Sequence, residues 1–149
     1  NQYAMGTAVT RSSAETHFHR RGTAFRIPGM DVDGMDVLEV RQAAGIALDF
    51  VRGGNGPVLI ELNTYRYRGH SMSDPAKYRT REEVQEVREH HDPIDRAKAD
   101  LLALGIDEDR LKEIDKRIRA QVSESADFAE NTPEPDLAEL HTDVLVGRY

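Results

Sequence analysis

The sequence predicts an α/β fold built on a parallel sheet and followed by a helical C-terminal region. Residues 57–62 (PVLIEL) are a short, almost continuously apolar run, which is typical of a strand buried on both faces of a parallel sheet. A helix-spaced apolar series precedes this run, at Val37, Val40, Ala44, Ala47, Leu48 and Val51. After residue 80 the apolar positions follow helical spacing only. We therefore predict an α/β part at residues 1–80 and a helical region at residues 81–149.

Composition excludes several classes of protein. The chain has 149 residues, about one domain's worth, and a net charge of −7, which argues against a nucleic-acid binder. Cysteine is absent, so disulfides and thiolate chemistry are excluded. No apolar run approaches the roughly 18 residues that span a bilayer, and no signal peptide is visible. We expect a cytoplasmic protein with no membrane partner and, since it lacks an initiator Met, a piece of a longer chain.

The first part of the chain reads as a strand–helix–strand unit. Ser12 followed by Glu15 predicts a capping box that opens a short helix. Residues 27–34 predict a short strand and turn, and Asp36 with Glu39 predicts the start of the next helix. A glycine-rich segment, GGNG, ends that helix before the strand at residues 57–62. We expect a βαβ unit with parallel strands.

The second part carries three helix-start signals. Thr80 with Glu83 predicts a capping box, and Asp92 followed by Pro93 predicts an N-cap with proline at the first helical position. Asp107 predicts the cap of a longer helix, whose apolar stripe is Leu111, Ile114, Ile118 and Val122. Residues 131–135 (NTPEP) predict a linker.

The stretch after residue 62 turns polar and cationic. Arginines, a histidine and a lysine alternate there with tyrosines, in the segment YRYRGHSMSDPAKYRTR. Ligands of open α/β sheets bind beyond the carboxyl ends of the strands, so this segment predicts an anionic ligand such as a phosphate or diphosphate. His70 follows Gly69, which permits close backbone approach. Two interpretations of His70 stay open on this basis, a solvated loop histidine and a donor to a phosphate oxygen.

Two further patterns suggest metal sites, but simpler interpretations suit both. The segment DVDG at residues 31–34 lacks the spacing and the terminal bidentate acid of a calcium loop, and a turn with an N-cap explains it better. The remaining candidates are four histidines for which we predict solvated surface positions: His17, His19, His90 and His91.

The segment YRYRGHSMSDPAKYRTREEVQEVR, with NQYAMGT at the start and IPGMDVDGMDVLEVR between them, closely resembles the alpha subunits of the pyruvate dehydrogenase decarboxylating component. The similarity runs over nearly the whole chain. The chain resembles the C-terminal part of that subunit, in its bacterial form. The resemblance implies part of a thiamine-diphosphate-binding parallel-sheet domain. It also implies oxidative decarboxylation of pyruvate, with transfer of the acetyl group to lipoamide, in the pyruvate dehydrogenase complex.

The resemblance also implies roles for single residues. Asn1 corresponds to a side-chain ligand of the Mg²⁺ ion that accompanies thiamine diphosphate, and Tyr3 to a residue whose backbone carbonyl ligates it. Arg66 and His70 correspond to positions that face the cofactor, and His70 is the implied catalytic residue. The family's Gly-Asp-Gly element does not occur here, since Val32 stands where its nearest match would need the first glycine.

Regulation and partners follow from the same resemblance. Ser71 corresponds to a serine that is phosphorylated in eukaryotic members, although Ala8 stands at another regulatory position. The implied partners are a beta subunit, in an α2β2 heterotetramer, and a lipoyl-bearing acetyltransferase. Four alternatives stay open: a branched-chain 2-oxo acid dehydrogenase alpha subunit, an acetoin dehydrogenase alpha subunit, a non-catalytic assembly fragment that only contacts the beta subunit, and a plain phosphate-binding α/β module.

Overall fold

The computed structural model describes residues 1–144. Its strands are β1 (Tyr3–Ala4), β2 (Thr7–Ala8), β3 (Gly29–Asp33) and β4 (Leu59–Asn63). Its α-helices are α1 (Val9–Ser12), α2 (Val37–Arg52), α3 (Arg81–His90), α4 (Pro93–Ala103) and α5 (Glu108–Asn131). Two 3-10 helices cover Phe18–Phe25 and Leu137–His141.

The predicted βαβ unit is confirmed. Strands β3 and β4 pair in parallel, from Gly29 opposite Leu59 to Asp33 opposite Asn63, and α2 is the connection between them. Three hydrophobic side chains of the described residues are buried, namely Val32, Ala43 and Ala47. The core is therefore the thin layer in which small side chains of α2 let the helix lie close to β3.

Helix α2 begins and ends where the sequence predicts. The Asp36 carboxylate accepts hydrogen bonds from the backbone N–H groups of Leu38 and Glu39, which satisfies two free donors of the first turn. After Arg52 the chain turns through Gly54, whose φ of +77° favours glycine. The predicted apolar stripe is displaced, because Leu48 and Val51 are each 47% exposed while Ala43, outside that stripe, is buried.

The prediction for the N-terminal segment is wrong. Strands β1 and β2 form a short antiparallel hairpin, and Ser12 ends α1 instead of capping a new helix. The Ser12 hydroxyl donates back to the carbonyls of Ala8 and Val9, which is the local competition that serine offers to the backbone. Glu15 accepts from the N–H of His17, so neither half of the expected capping box forms.

Helices α3 and α4 both start at predicted caps. Thr80 accepts from the N–H of Glu83, and Asp92 accepts from the N–H groups at the start of α4, directly before Pro93. Arg96 in α4 pairs with the Asp36 carboxylate at 2.6 Å. These ties join α4 to the α/β part, and the compact unit runs from Asn1 to Leu104. A domain boundary at residue 80 stays a prediction.

A second compact unit begins at Gly105. Asp107 caps α5 by accepting from the N–H of Arg110, as predicted. Of the predicted stripe, Leu111 and Ile114 are half-buried, whereas Ile118 and Val122 are exposed. Across the described part of the chain, no helix combines the length and the apolar character needed to cross a membrane.

Candidate active-site loop and hairpin

The segment between β4 and α3, residues 64–80, is called the cationic loop here, and one of its arginines is buried. Arg79 is 8% exposed. Its guanidinium donates to the backbone carbonyl of Arg66 and, at 2.9 Å, to that of Arg68. A guanidinium that binds two carbonyls of its own loop fixes the loop's curvature, because buried carbonyls need partners. Arg79 therefore holds the loop together.

Three tyrosine rings surround the same guanidinium. The Arg79 guanidinium carbon lies 5.1 Å from the ring centre of Tyr65, 5.2 Å from that of Tyr78 and 5.9 Å from that of Tyr3. Cations are attracted to aromatic faces within about 6 Å. The tyrosine–arginine alternation of the sequence is thus a cation–π cluster.

Asp74 is a second anchor of the cationic loop. Its carboxylate accepts from the N–H of His70 at 2.7 Å, from the N–H of Ala76 at 2.8 Å and from the hydroxyl of Tyr78 at 2.8 Å. These three bonds, in that order, lower the pKa of Asp74 to about 2. A Cβ on Gly69 would lie 2.5 Å from the Asp74 carbonyl oxygen, so the turn closes only around glycine.

The hairpin of β1 and β2 is joined to the cationic loop. Arg66 donates at 2.9 Å both to the carbonyl of Met5, in the hairpin turn, and to the hydroxyl of Tyr78. The Tyr3 hydroxyl donates to the Tyr78 carbonyl at 3.2 Å, and the two rings lie 4.7 Å apart. Residues far apart in sequence therefore form one polar and aromatic junction.

The tip of the cationic loop is open to solvent. His70, Ser71, Met72 and Ser73 are exposed, and the hydroxyls of the two serines lie 3.0 Å apart. The backbone N–H of His70 is fixed by Asp74, whereas the imidazole projects from an exposed position. The loop thus presents accessible side chains at its end, and the backbone at His70 is held by a hydrogen bond.

A cavity of about 340 Å³ opens beside the hairpin. Its lining includes Asn1 and Tyr3, together with Glu61 and Asn63 from the end of β4. Among the described residues that line it, neither Arg66 nor His70 appears. The four predicted cofactor-binding residues therefore form two groups, which the Tyr3–Tyr78 and Arg66–Met5 contacts connect.

The oxygens at the hairpin suit a hard cation. Asn1 is exposed, and its side-chain oxygen lies 3.2 Å from the N–H of Tyr3, which orients the amide. An amide oxygen and a backbone carbonyl from positions two residues apart are donors that Mg²⁺ accepts, with water or phosphate oxygens able to complete an octahedron. The residues present at the hairpin thus fit the implied metal.

The family model described as "Dehydrogenase E1 component" matches residues 1–138 of the chain. The chain belongs to the dehydrogenase E1 component family. It is 56% identical over 149 residues to the pyruvate dehydrogenase E1 component subunit alpha of Zymomonas mobilis, covering all of this chain and 42% of that relative. It is 57% identical over 147 residues to the protein of that name in Rhizobium meliloti, covering 98% of this chain and 42% of that relative.

A eukaryotic relative is similar over almost the same span. The mitochondrial somatic form from Homo sapiens, also a pyruvate dehydrogenase E1 component subunit alpha, is 50% identical over 142 residues, which is 94% of this chain and 36% of that relative. The chain therefore spans about two fifths of the length of the curated relatives it matches. The suspected family is confirmed.

Two residues of this E1 component chain were not predicted as site residues, although the structure makes them central. Arg79 counted only as one cation of a basic stretch, yet it is buried among tyrosines. Asp74 precedes Pro75 and accepts from the N–H two residues on, the pattern of an Asx-turn. That Asp-Pro pair was the signal available in the sequence.

Two tyrosines attach the cationic loop to the helices that follow it. Tyr65 donates to the Glu83 carboxylate of α3 at 2.8 Å, and Tyr67 donates to Asp92 at 2.9 Å. Burial, and then the bond to the neighbouring carboxylate, raises the pKa of both hydroxyls. Both tyrosines are therefore neutral donors near neutral pH, and the helices brace the loop.

One of the four surface histidines is predicted wrongly. His19 is half-buried, and both its N–H and its ring Nδ1 lie within 2.9 Å of the Glu61 carboxylate. Burial alone would raise the pKa of Glu61, but the hydrogen bonds from His19 outweigh it and lower the pKa below its ordinary value. His17, His90 and His91 are exposed, as predicted.

Proposed function

We propose that the chain is part of the alpha subunit of a pyruvate dehydrogenase (acetyl-transferring). The reaction is oxidative decarboxylation of pyruvate with transfer of the acetyl group to lipoamide. The observation that carries the proposal is the 56–57% identity, over all or nearly all of this chain, to two bacterial relatives with that name. The internally braced cationic loop supports it, because a loop that presents an anion-binding tip needs an ordered base.

The proposed cofactors are thiamine diphosphate and Mg²⁺. In this proposal the Asn1 side-chain oxygen and the Tyr3 carbonyl ligate the Mg²⁺ ion, and both residues line the cavity beside the hairpin. Thiamine diphosphate, when bound, supplies the electron sink for decarboxylation of a 2-oxo acid. The protein contributes placement and electrostatics around it.

His70 is the proposed catalytic residue of this chain. With the cofactor bound, its imidazole would donate a hydrogen bond to an anionic oxygen of the diphosphate, and such an interaction contributes about 1.5–3 kcal/mol. Asp74 holds the His70 backbone N–H at 2.7 Å, so the imidazole starts from a fixed position. Arg66 adds positive charge to the loop while it ties the loop to the hairpin.

The proposed partners are a beta subunit, in an α2β2 heterotetramer, and a lipoyl-bearing acetyltransferase.

Ser71 is a proposed phosphorylation site, and its exposed hydroxyl suits it to a kinase. A phosphate there would place a charge of about −1.5 to −2 one residue from His70 and repel the diphosphate. Phosphorylated or Ser71→Asp protein should therefore bind thiamine diphosphate more weakly than Ser71→Ala in a calorimetric titration.

Substitution of His70 in the assembled enzyme tests the central claim. With the beta subunit, thiamine diphosphate and Mg²⁺ present, His70→Ala should lower lipoamide acetylation by about 10- to 100-fold, the equivalent of one charge-assisted hydrogen bond. His90→Ala, which removes an exposed histidine at the end of α3, is the matched control and should leave the rate unchanged. Equal rates for the two variants would reject the role of His70.

A substrate panel tests the reaction itself. Pyruvate should be turned over faster than branched-chain 2-oxo acids or acetoin by the wild-type assembly. Preference for a branched-chain acid or for acetoin would move the assignment to one of those dehydrogenases, whereas no turnover with any substrate, in an assembly that forms normally, would favour a role confined to assembly.

A further inference from the structure

Three potential metal ligands meet on the side of the sheet that faces the Phe18–Phe25 segment. One ligand atom from each of His17, His19 and Asp31 lies within 4.8 Å of the other two. His17 and Asp31 are exposed and His19 is half-buried, so the group opens to solvent on one side. None of the three lines the cavity that holds Asn1 and Tyr3. The cluster therefore borders that cavity without lining it, since Glu61 and Asn63 line the cavity and contact His19 and Asp31.

The orientation of His19 is fixed by a carboxylate. Its Nδ1 lies 2.8 Å from Oε2 of Glu61, whose side chain is 11% exposed. An ionised carboxylate only accepts, so Nδ1 carries the proton and the lone pair of the neutral ring is on Nε2. A carboxylate that holds one ring nitrogen while the other faces a metal is the usual outer support of histidine ligands.

Asp31 is oriented in a similar way from the neighbouring strand. Asp31 lies opposite Glu61 in the parallel register, which puts their side chains on the same face of the sheet. The side-chain N–H of Asn63 donates to Oδ1 of Asp31 at 2.5 Å. The second carboxylate oxygen is the one available to an ion.

We propose that His17, His19 and Asp31 bind a divalent transition-metal ion of the zinc type, with Glu61 as the residue that orients His19. Two imidazoles and one carboxylate suit Zn²⁺ and its neighbours in the transition series, and they disfavour Mg²⁺, which prefers oxygen. The two carboxylates balance the charge of the ion. Three protein ligands leave a coordination position for water or another small donor.

Titration of the chelator-treated, purified protein with Zn²⁺ and with Co²⁺ tests the site. Calorimetry should show one Zn²⁺ site per chain, and Co²⁺ should give visible absorption of a four-coordinate N/O complex. The double variant H17A/D31N removes two exposed ligands and should abolish both signals, while circular dichroism confirms an unchanged fold. Glu61→Gln should weaken binding by about 10- to 100-fold. Mg²⁺ should not compete.

The second histidine pair of the chain supplies the matched control. His90 and His91 lie within 4.0 Å of the Glu86 carboxylate on an exposed helix end. The variant H90A/H91A should bind Zn²⁺ as the wild type does. The proposal is overturned if the wild type binds no Zn²⁺, if H17A/D31N binds it equally well, or if H90A/H91A is the variant that loses binding.

Discussion

The base and the tip of the cationic loop both carry a basic side chain, but that side chain is buried at the base and exposed at the tip. At the base, Arg79 is buried, and its guanidinium donates to two backbone carbonyls and lies among three tyrosine rings. At the tip, His70 is exposed and only its backbone N–H is bound, by Asp74. Positive charge in a loop therefore does not by itself mark a ligand contact, since part of it can hold the loop that presents the rest.

The largest effect is expected at the base. Arg79→Met keeps the length of the side chain but removes the donors to Arg66 and Arg68, leaving two carbonyls unpaired. We expect a loss of about 2–4 kcal/mol in the free energy of unfolding, measured by urea titration. Arg79→Lys should have a free energy of unfolding between those of the wild type and Arg79→Met, because one ammonium group cannot replace the planar guanidinium. A loss below that of an ordinary surface substitution would show that Arg79 is not structural.

A smaller loss is expected at the turn. Gly69→Ala puts a Cβ 2.5 Å from the Asp74 carbonyl oxygen, so the backbone must shift, at about 1–3 kcal/mol by the same titration. Gly45→Ala is the control of opposite sign, because its Cβ meets nothing within 4 Å and the residue lies inside α2. That change should stabilise the protein by up to about 1 kcal/mol. Equal effects of the two substitutions would contradict the tight turn.

Asp74 should make the order of the loop depend on pH. Because the pKa of Asp74 is lowered to about 2 in the folded protein, its contribution is complete above the ordinary value of 3.8 and is lost as the pH falls through 2. The amide protons of His70 and Ala76 should exchange faster in Asp74→Asn at neutral pH. Unchanged exchange rates at both amides would show that the Asp74 carboxylate does not order the loop.

The smallest effect on stability is expected at the tip. His70→Ala and Ser71→Ala alter exposed side chains, so the free energy of unfolding should change by no more than about 0.5 kcal/mol. The same His70→Ala variant should show its large effect in turnover alone. A marked loss of stability would mean that the imidazole also belongs to the framework of the loop.

Local signals in the sequence predicted much of the fold. The caps at Asp36, Thr80, Asp92 and Asp107 all form as the sequence indicates, because a cap depends on neighbours within a few residues. The hairpin and the fate of Ser12 were missed, since tertiary contacts such as that between Arg66 and Met5 help hold that segment.

The candidate site was predictable only in part. The resemblance supplied Asn1, Tyr3, Arg66 and His70, and the structure places them in two connected groups. Spacing along the chain could not show that Arg79 turns inward or that His19 meets Glu61, because those contacts join segments more than ten residues apart. The periodicity of apolar residues predicts which side chains share a face of one helix or strand, but it does not predict contacts between different elements.

Tyr3 takes part in two features of the structure, since it lines the cavity and its ring packs against Tyr78. Occupancy of the hairpin and order of the distant segment are then thermodynamically linked, and linkage is reciprocal. A ligand that binds more tightly when the Tyr3 ring packs against Tyr78 will shift the cationic loop toward its ordered form. Ordering of the loop will then raise the affinity for that ligand by the same factor. Through the Tyr3 ring, a change at the cavity thus alters the order of the cationic loop, and a change in the loop alters binding at the cavity.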